Sequence, residues 1–166
     1  MPPPAPVEKP AISGMLLEGA RALGLSLNPA QADALSWMAG ELARWSSRIN
    51  LTAILDPIEM ADKHILDSLS VLRALPSGPL DLLDAGTGAG FPGLPLALAR
   101  EDLTVTLVDS VAKKVGFLKP LELFGEQKFV EENVADVRRE FGDVVDQILM
   151  ELAGVLAVKG FEGEAA

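Results

Sequence analysis

The stretch Asp84-Ala-Gly86-Thr-Gly88-Ala-Gly90-Phe91-Pro92-Gly93 decides the fold of this 166-residue chain. It completes a short apolar run, Leu80–Ala85, and opens a segment that is compatible with a helix. Glycines at such a turn allow positive φ angles and a close approach to a ligand, and the following helix start presents free N–H groups. Ligands of parallel α/β sheets bind at this carboxyl edge. The stretch therefore predicts a strand, a ligand-binding loop and a helix.

A second apolar run ends in an acidic residue at the spacing of a nucleoside site. Thr104-Val-Thr-Leu-Val108 is followed by Asp109, about twenty residues beyond the loop, where a second strand offers a carboxylate to ribose hydroxyls. The alternative is a tight turn followed by an ordinary helix cap. Further strands are expected at residues 129–131 and 143–149, with a helix over residues 146–158 as the alternative that periodicity leaves open. The pattern is that of an α/β fold with a mostly parallel sheet.

The loop matches neither of two common nucleotide motifs. A dinucleotide fingerprint has glycine at the sixth position counted from Gly86, where this chain has Phe91, and no Gly-Lys-Ser/Thr follows for a Walker loop. Asp84 would repel a pyrophosphate, but it suits the cationic end of S-adenosylmethionine. Two interpretations of Asp84 stay open: that contact, or a hydrogen bond to the loop backbone. A nicotinamide-dependent oxidoreductase is disfavoured.

The chain before the loop is predicted to be helical over residues 13–78, after a flexible Pro-rich arm at residues 1–12. A first helix is expected at about residues 15–23. A stronger second helix has Asn28 as cap and Pro29 at its first position, and a third begins after Asp56. The third helix is expected to turn these apolar side chains inward: Ile58, Ala61, Ile65, Leu69 and Leu72.

The amino-acid composition limits the kinds of binding site and partner that are expected for this chain. The formal net charge of −10 argues against sequence-blind nucleic-acid binding, so any such role needs a local basic patch. The absence of cysteine excludes disulfides and thiolate sites, and with a single histidine we expect no metal. The apolar runs are too short for a membrane span, and no signal-peptide core is present; we expect a cytoplasmic protein without membrane contact.

Four phrases stand in the chain in a fixed order: Trp45 with Arg48-Ile-Asn50-Leu51-Thr52-Ala53; Lys63-His64-Ile-Leu-Asp67-Ser68-Leu69; the glycine-rich stretch with Gly90-Phe91-Pro92-Gly93; and Leu107-Val-Asp109-Ser110 with Lys113-Lys114. Together they resemble the ribosomal RNA small subunit methyltransferase G family, also called glucose-inhibited division protein B. The resemblance covers roughly residues 16–118.

The resemblance implies a Rossmann-like S-adenosylmethionine-dependent methyltransferase fold preceded by N-terminal helices. It implies methyl transfer to N7 of a guanine in 16S ribosomal RNA, either naked or in the small ribosomal subunit. Since N7 carries a lone pair and no proton, we expect no catalytic side chain. By position, the resemblance implies these cofactor contacts: Gly86, Gly88, Gly90, Phe91, Asp109, and Val134 with Ala135 near the adenine. The expected RNA contacts are Arg48, Asn50, Lys113 and Lys114.

Two other residues of these phrases, His64 and Trp45, are expected to have structural roles. His64 is expected to pair with Asp67 on one helical face, and Trp45 lies on the apolar stripe of the second helix, where core packing is favoured over base stacking.

The sequence departs from the family pattern after Leu118. Pro120 falls within an expected helix, and the family's later arginine has no counterpart in residues 143–150. We therefore expect residues 79–166 to form a truncated Rossmann-like core with incomplete C-terminal strands, whose open edge favours self-association. The alternative function is a noncatalytic cofactor-binding or scaffold protein of the same fold.

Overall fold

The computed structural model describes residues 9–109, 111–118 and 127–131, and all structural statements refer to them. Helices and strands follow in this order: α1 (Lys9–Ala22), α2 (Pro29–Ile49), α3 (Pro57–Met60), a π-helical segment (Ala61–Leu66), α4 (Asp67–Ser70), a 3₁₀ turn (Val71–Arg73), β1 (Leu80–Ala85), α5 (Gly93–Ala99), β2 (Leu103–Asp109), α6 (Ala112–Leu118) and β3 (Gln127–Glu131).

Helix α2 begins where the sequence predicts. The Asn28 side chain accepts a hydrogen bond from the Gln31 backbone N–H at 2.9 Å, and Gln31 Oε1 accepts from the Asn28 N–H at 2.8 Å. This capping box satisfies two of the N–H groups that a helix start leaves free. Gln31 Nε2 also donates to the Ala99 carbonyl at 3.0 Å. The cap of α2 therefore also ties the helical part to the end of α5.

Helix α1 starts earlier than the sequence predicts. It begins at Lys9, whereas order is expected from Ser13 and a helix from about Met15. Ile12 is only 3% exposed, and burial of its side chain offsets part of the entropy of ordering this turn. The expected flexible arm therefore does not extend to residue 12.

The third helical run begins with the predicted cap, but it contains a π-helical segment that the sequence did not predict. Asp56 Oδ1 accepts from the Glu59 N–H at 2.9 Å. After one turn of α3 the run widens into the six-residue π segment before it returns to α4. Single π turns are uncommon inside helices and occur frequently at functional sites.

The wider π turn also changes which side chains face inward. The predicted residues Ala61, Ile65 and Leu69 are fully buried. Ile58, which was predicted to be inward, is 43% exposed, and Met60 is buried in its place. A 3.6-residue period extrapolated through the π turn gives the wrong angular position for the first turn of the run.

The sheet has the order β1-β2-β3, and both pairs are parallel. Leu80 lies opposite Leu103, and Ala85 lies opposite Val108. The predicted strands β1, β2 and β3 are confirmed, with ends that differ by at most two residues. The expected strand at residues 143–149 and Pro120 lie outside the described residues.

Helix α5 lies between the sheet and the N-terminal helices. All seven of its residues are buried, and none is charged. It packs against β1 and β2 and also against α2 and α4. A helix that is apolar all round is expected to be buried on all sides. The α/β fold with preceding helices is thereby confirmed, and the glycine-rich loop leads directly into α5.

None of the described helices is long and apolar enough to cross a membrane.

Candidate functional site

The glycine loop, residues 86–93, is anchored to the end of β2. The N–H groups of Gly86 and Thr87 both donate to the Val108 carbonyl, at 2.8 and 3.0 Å. The backbone then turns through positive φ angles of 78° at Gly86 and 63° at Gly88. A side chain would strain this left-handed backbone, so the glycines are required for the turn to form.

The loop has an open half and a packed half. A methyl group placed on Gly86 would meet nothing within 4 Å, and one on Gly88 would meet only the Gly86 carbonyl at 4.0 Å. A methyl group on Gly90 would lie 2.9 Å from Leu118, and one on Gly93 would lie 2.3 Å from Leu107. The first half therefore leaves room for a ligand beside the backbone, whereas the second half packs into the core.

Asp109 joins the loop to α6. Its carboxylate accepts from the Gly88 N–H and the Val111 N–H, both at 2.8 Å, and lies 3.6 Å from the Lys114 ammonium. The carboxylate thus holds the backbone directly before α6 and also lies against the open half of the loop. This structural role and a ligand-binding role are compatible, because a carboxylate has lone pairs for more than two donors.

Asp84 points into the loop. It is 9% exposed, and its Oδ2 accepts from Thr87 Oγ1 at 2.7 Å and from the Gly93 N–H at 2.8 Å. Of the two interpretations, the hydrogen bond to the loop backbone is the one that the structure shows. Burial raises the pKa of the Asp84 carboxyl; the two hydrogen bonds oppose this shift, and the charge of Asp109 adds to it.

The raised pKa of Asp84 predicts a pH effect on stability. Between about pH 4, the ordinary aspartate value, and the raised value, the folded chain holds more protons than the unfolded chain. The free energy of unfolding therefore falls as pH rises through that interval. In Asp84→Asn this part of the fall is removed, so the variant gains stability relative to the wild type. Urea unfolding from pH 4 to pH 8 measures the difference.

Asp102→Asn is the matched control for this titration. The hydrogen bond from Arg100 lowers the pKa of Asp102, so its titration affects stability only below about pH 4. Its difference from the wild type should stay constant over the range in which the Asp84→Asn difference grows. A constant difference for both variants would contradict the assignment to Asp84.

Three of the phrases singled out in the sequence meet at one place. The His64 Nε2 atom lies 2.9 Å from Thr52 Oγ1, and the His64 ring lies 5.0 Å from the Phe91 ring between centroids. The expected pairing of His64 with Asp67 was wrong, since no ion pair joins them among the described residues. Packing on the glycine loop fixes the imidazole instead.

A cavity of about 280 Å³ lies beside this contact. Lys63, His64 and Asp67 share a single phrase of the sequence, which is a signal for this cavity, but no ligand is predicted for it from the sequence. Of the residues that the structure describes, seven line it: Lys63, His64, Asp67, Ser68, Val71, Phe91 and Pro92.

Comparison with known proteins identifies the family. The family model for rRNA small subunit methyltransferase G matches residues 31–153. The chain belongs to this family. Proteins named ribosomal RNA small subunit methyltransferase G are 50% identical over 108 residues in Leptothrix cholodnii and 51% over 104 residues in Myxococcus xanthus. Each alignment covers 63% of this chain, and 50% and 48% of the respective relative. The chain thus spans about half the length of these curated relatives.

The family match extends further than the phrases indicate. A relative from Alkalilimnicola ehrlichii, with the same name, is 43% identical over 141 residues, which is 82% of this chain and 63% of the relative. The limit at Leu118 expected from the sequence was therefore too early. Val134 and Ala135 fall within the family match, but they lie outside the described residues.

The structure describes four further residues that the family resemblance singles out. Asn50 is the C-cap of α2 with φ 49° and ψ 58°, and its N–H donates to the Ser46 carbonyl, so it has a structural role. Arg48 and Lys113 are exposed. Trp45 is half-buried with its ring 5.9 Å from Phe117, which confirms the core interpretation.

Proposed function

We propose that this chain binds S-adenosylmethionine at the open half of the glycine loop and transfers its methyl group to N7 of a guanine in 16S ribosomal RNA. The observation that carries the proposal is the contact between Asp109 and Gly88 at 2.8 Å. It places an acceptor-only carboxylate beside the part of the loop that has space for a ligand.

The residues present fit this cofactor. Asp109 is positioned to accept hydrogen bonds from two ribose hydroxyls, as strand-end acidic residues do in nucleoside-binding folds. Gly86 and Gly88 let the ligand approach the backbone, and we assign Gly90 and Phe91 to the support of the same loop. Asp84 holds the loop from inside through Thr87 and Gly93. The absence of a glycine at position 91 disfavours a dinucleotide.

The chemistry needs little from the side chains. The bound cofactor supplies an electrophilic methyl group on a sulfonium centre. Guanine N7 carries a lone pair and no proton, so the chain has only to align the two and exclude water. Consistent with this, the His64 Nε2 atom already has a partner in Thr52, and His64 packs on Phe91. His64 is therefore not assigned the role of a general base.

Cations near the site are candidates for the RNA backbone. We assign phosphate contacts to Lys113 and Arg48, which are exposed, and keep Asn50 as a weaker candidate because it caps α2. Lys114 lies against Asp109 and is one-third exposed. Phosphate contacts of this kind position a nucleic acid without reading its sequence. The relatives are named for ribosomal RNA of the small subunit, which supports the same substrate.

Methyl transfer to small ribosomal subunits tests the proposal. The 166-residue chain is incubated with labelled S-adenosylmethionine and subunits that lack the modification, and N7-methylguanine is then located by chemical cleavage of the RNA. We expect label in 16S RNA at one guanine. Stoichiometric binding of S-adenosylhomocysteine without transfer would instead support the noncatalytic cofactor-binding alternative.

A further inference from the structure

The cavity of about 280 Å³ has Phe91 in common with the predicted cofactor contacts, but Gly86, Gly88, Gly90 and Asp109 are not among its lining residues. Phe91 and Pro92 of the glycine loop form one wall, and Lys63, His64 and Asp67 of the third helical run form another. It therefore adjoins the loop on the side of the N-terminal helices. A methyl acceptor has to bind next to the cofactor, and this cavity adjoins the loop to which the proposed cofactor site belongs.

The cavity borders the π segment. Lys63 and His64 lie within Ala61–Leu66, and Asp67 is the residue that follows it. π turns inside helices occur frequently at functional sites. A second cavity, lined by Gly19, Leu66 and Asp62 among others, shares Lys63 and Asp67 with the first, but none of its described lining residues belongs to the glycine loop. The chemistry at the loop therefore points to the smaller cavity.

The lining combines two aromatic side chains with one carboxylate. The rings of His64 and Phe91, which pack on each other with centroids 5.0 Å apart and planes inclined by 31°, both line the cavity. Asp67 is exposed on the same cavity and brings acceptor atoms only. A volume somewhat below that of drug-sized pockets suits a single base. Flipped or splayed bases are held in this way, by stacking and by hydrogen bonds to the Watson–Crick edge.

Guanine is the base that fits this donor and acceptor pattern. Its Watson–Crick edge presents two adjacent donors, N1–H and the 2-amino group, which a carboxylate can accept together. Adenine and the pyrimidines do not present such a pair. N7 lies on another edge of the purine and carries only a lone pair, so a carboxylate bound to N1–H and the 2-amino group leaves N7 free.

We propose that this cavity is the acceptor-base site and that Asp67 selects guanine by accepting hydrogen bonds from N1–H and the 2-amino group. The inference rests on the proposed methyl transfer to guanine and assigns the recognition step to a residue. Asp67 contacts the base but not the transferred methyl group, so it determines which base is bound and takes no part in the transfer itself.

Removal of the 2-amino group tests the inference. The probes are five-nucleotide RNAs with a central guanosine or inosine, titrated against the chain saturated with S-adenosylhomocysteine. We expect the wild type to bind the guanosine RNA about tenfold more tightly, as one hydrogen bond to a charged group predicts. Asp67→Asn should bind both RNAs with equal affinity. Asp62→Asn, a neighbouring carboxylate outside this cavity, should keep the tenfold preference.

Binding of S-adenosylhomocysteine to each variant separates the two proposals. Retained cofactor binding with equal affinity of the wild type for guanosine and inosine RNA overturns the inference alone. A preference for guanosine that survives in Asp67→Asn also overturns it, because another residue then reads the 2-amino group. Absence of cofactor binding by the folded wild type overturns the proposed function, and the inference with it.

Discussion

Gly93→Ala is expected to lower the free energy of unfolding by about 3 kcal/mol, at the upper end of the usual cost of overpacking a core. A methyl carbon on Gly93 would lie 2.3 Å from Leu107 Cδ2 and 2.8 Å from Asp84 Oδ2. Leu107 is 1% exposed and has little space to move, and Asp84 is held by two hydrogen bonds. The start of α5 must therefore move away from the sheet.

Urea unfolding followed by tryptophan fluorescence measures this loss. Gly40→Ala is the matched control, because Gly40 lies in the interior of α2, is exposed, and would have no atom within 4 Å of an added methyl group. That variant should gain about 0.5–1 kcal/mol from the better helix propensity of alanine. Equal effects of the two substitutions would show that the close approach of α5 to the sheet does not limit stability.

The elements that the sequence predicts well carry their signals locally. Helix α2 starts as predicted because Asn28, Pro29 and Gln31 form the capping arrangement within four consecutive positions. Strand β1 has the predicted bounds, since Leu80–Ala85 is a short apolar run that ends in a glycine turn. No distant contact is needed to explain either boundary.

The elements that the sequence predicts poorly depend on their packing partners. Helix α1 begins at Lys9 because Ile12 reaches the common core, which no local signal reveals. The π segment and the exposure of Ile58 arise where the third helical run packs against α1 and α2. Gly19 of α1 would place a methyl group 2.4 Å from Leu66, so the two elements are unusually close there.

In the candidate site, too, some features are predicted by local sequence signals and others depend on contacts between distant parts of the chain. The sequence places Asp84 and Asp109 at the ends of two strands and assigns Asp109 to the ribose by its spacing, but it leaves Asp84 with two interpretations, because both positions face the same edge of the sheet. The structure separates them by their partners. Asp84 is turned into the loop and bonded to Thr87 and Gly93, whereas Asp109 lies against the open half at Gly88. Contact of His64 with Phe91, from phrases far apart in the chain, was likewise visible only in three dimensions.

Because Asp109 lies against the open half of the loop, Asp109→Ala is expected to weaken binding of S-adenosylhomocysteine about a hundredfold. Two hydrogen bonds from ribose hydroxyls to a carboxylate are worth about 1.5–3 kcal/mol each, and part of this is offset by desolvation. Calorimetric titration of the purified chain measures the change. Asp102→Ala removes a carboxylate at the opposite end of β2 and should leave the affinity unchanged.

Asp109→Ala also removes the hydrogen bonds from the Val111 and Gly88 N–H groups, and a resulting shift of the loop is an indirect cause of weaker binding. A 2′-deoxy analogue of S-adenosylhomocysteine separates the two causes. If Asp109 binds the ribose, the wild type should lose affinity for the analogue by about tenfold, and Asp109→Ala should show no further loss. Additive losses would mean that Asp109 supports the loop without touching the ribose, and the ribose contact would then have to be assigned to another residue.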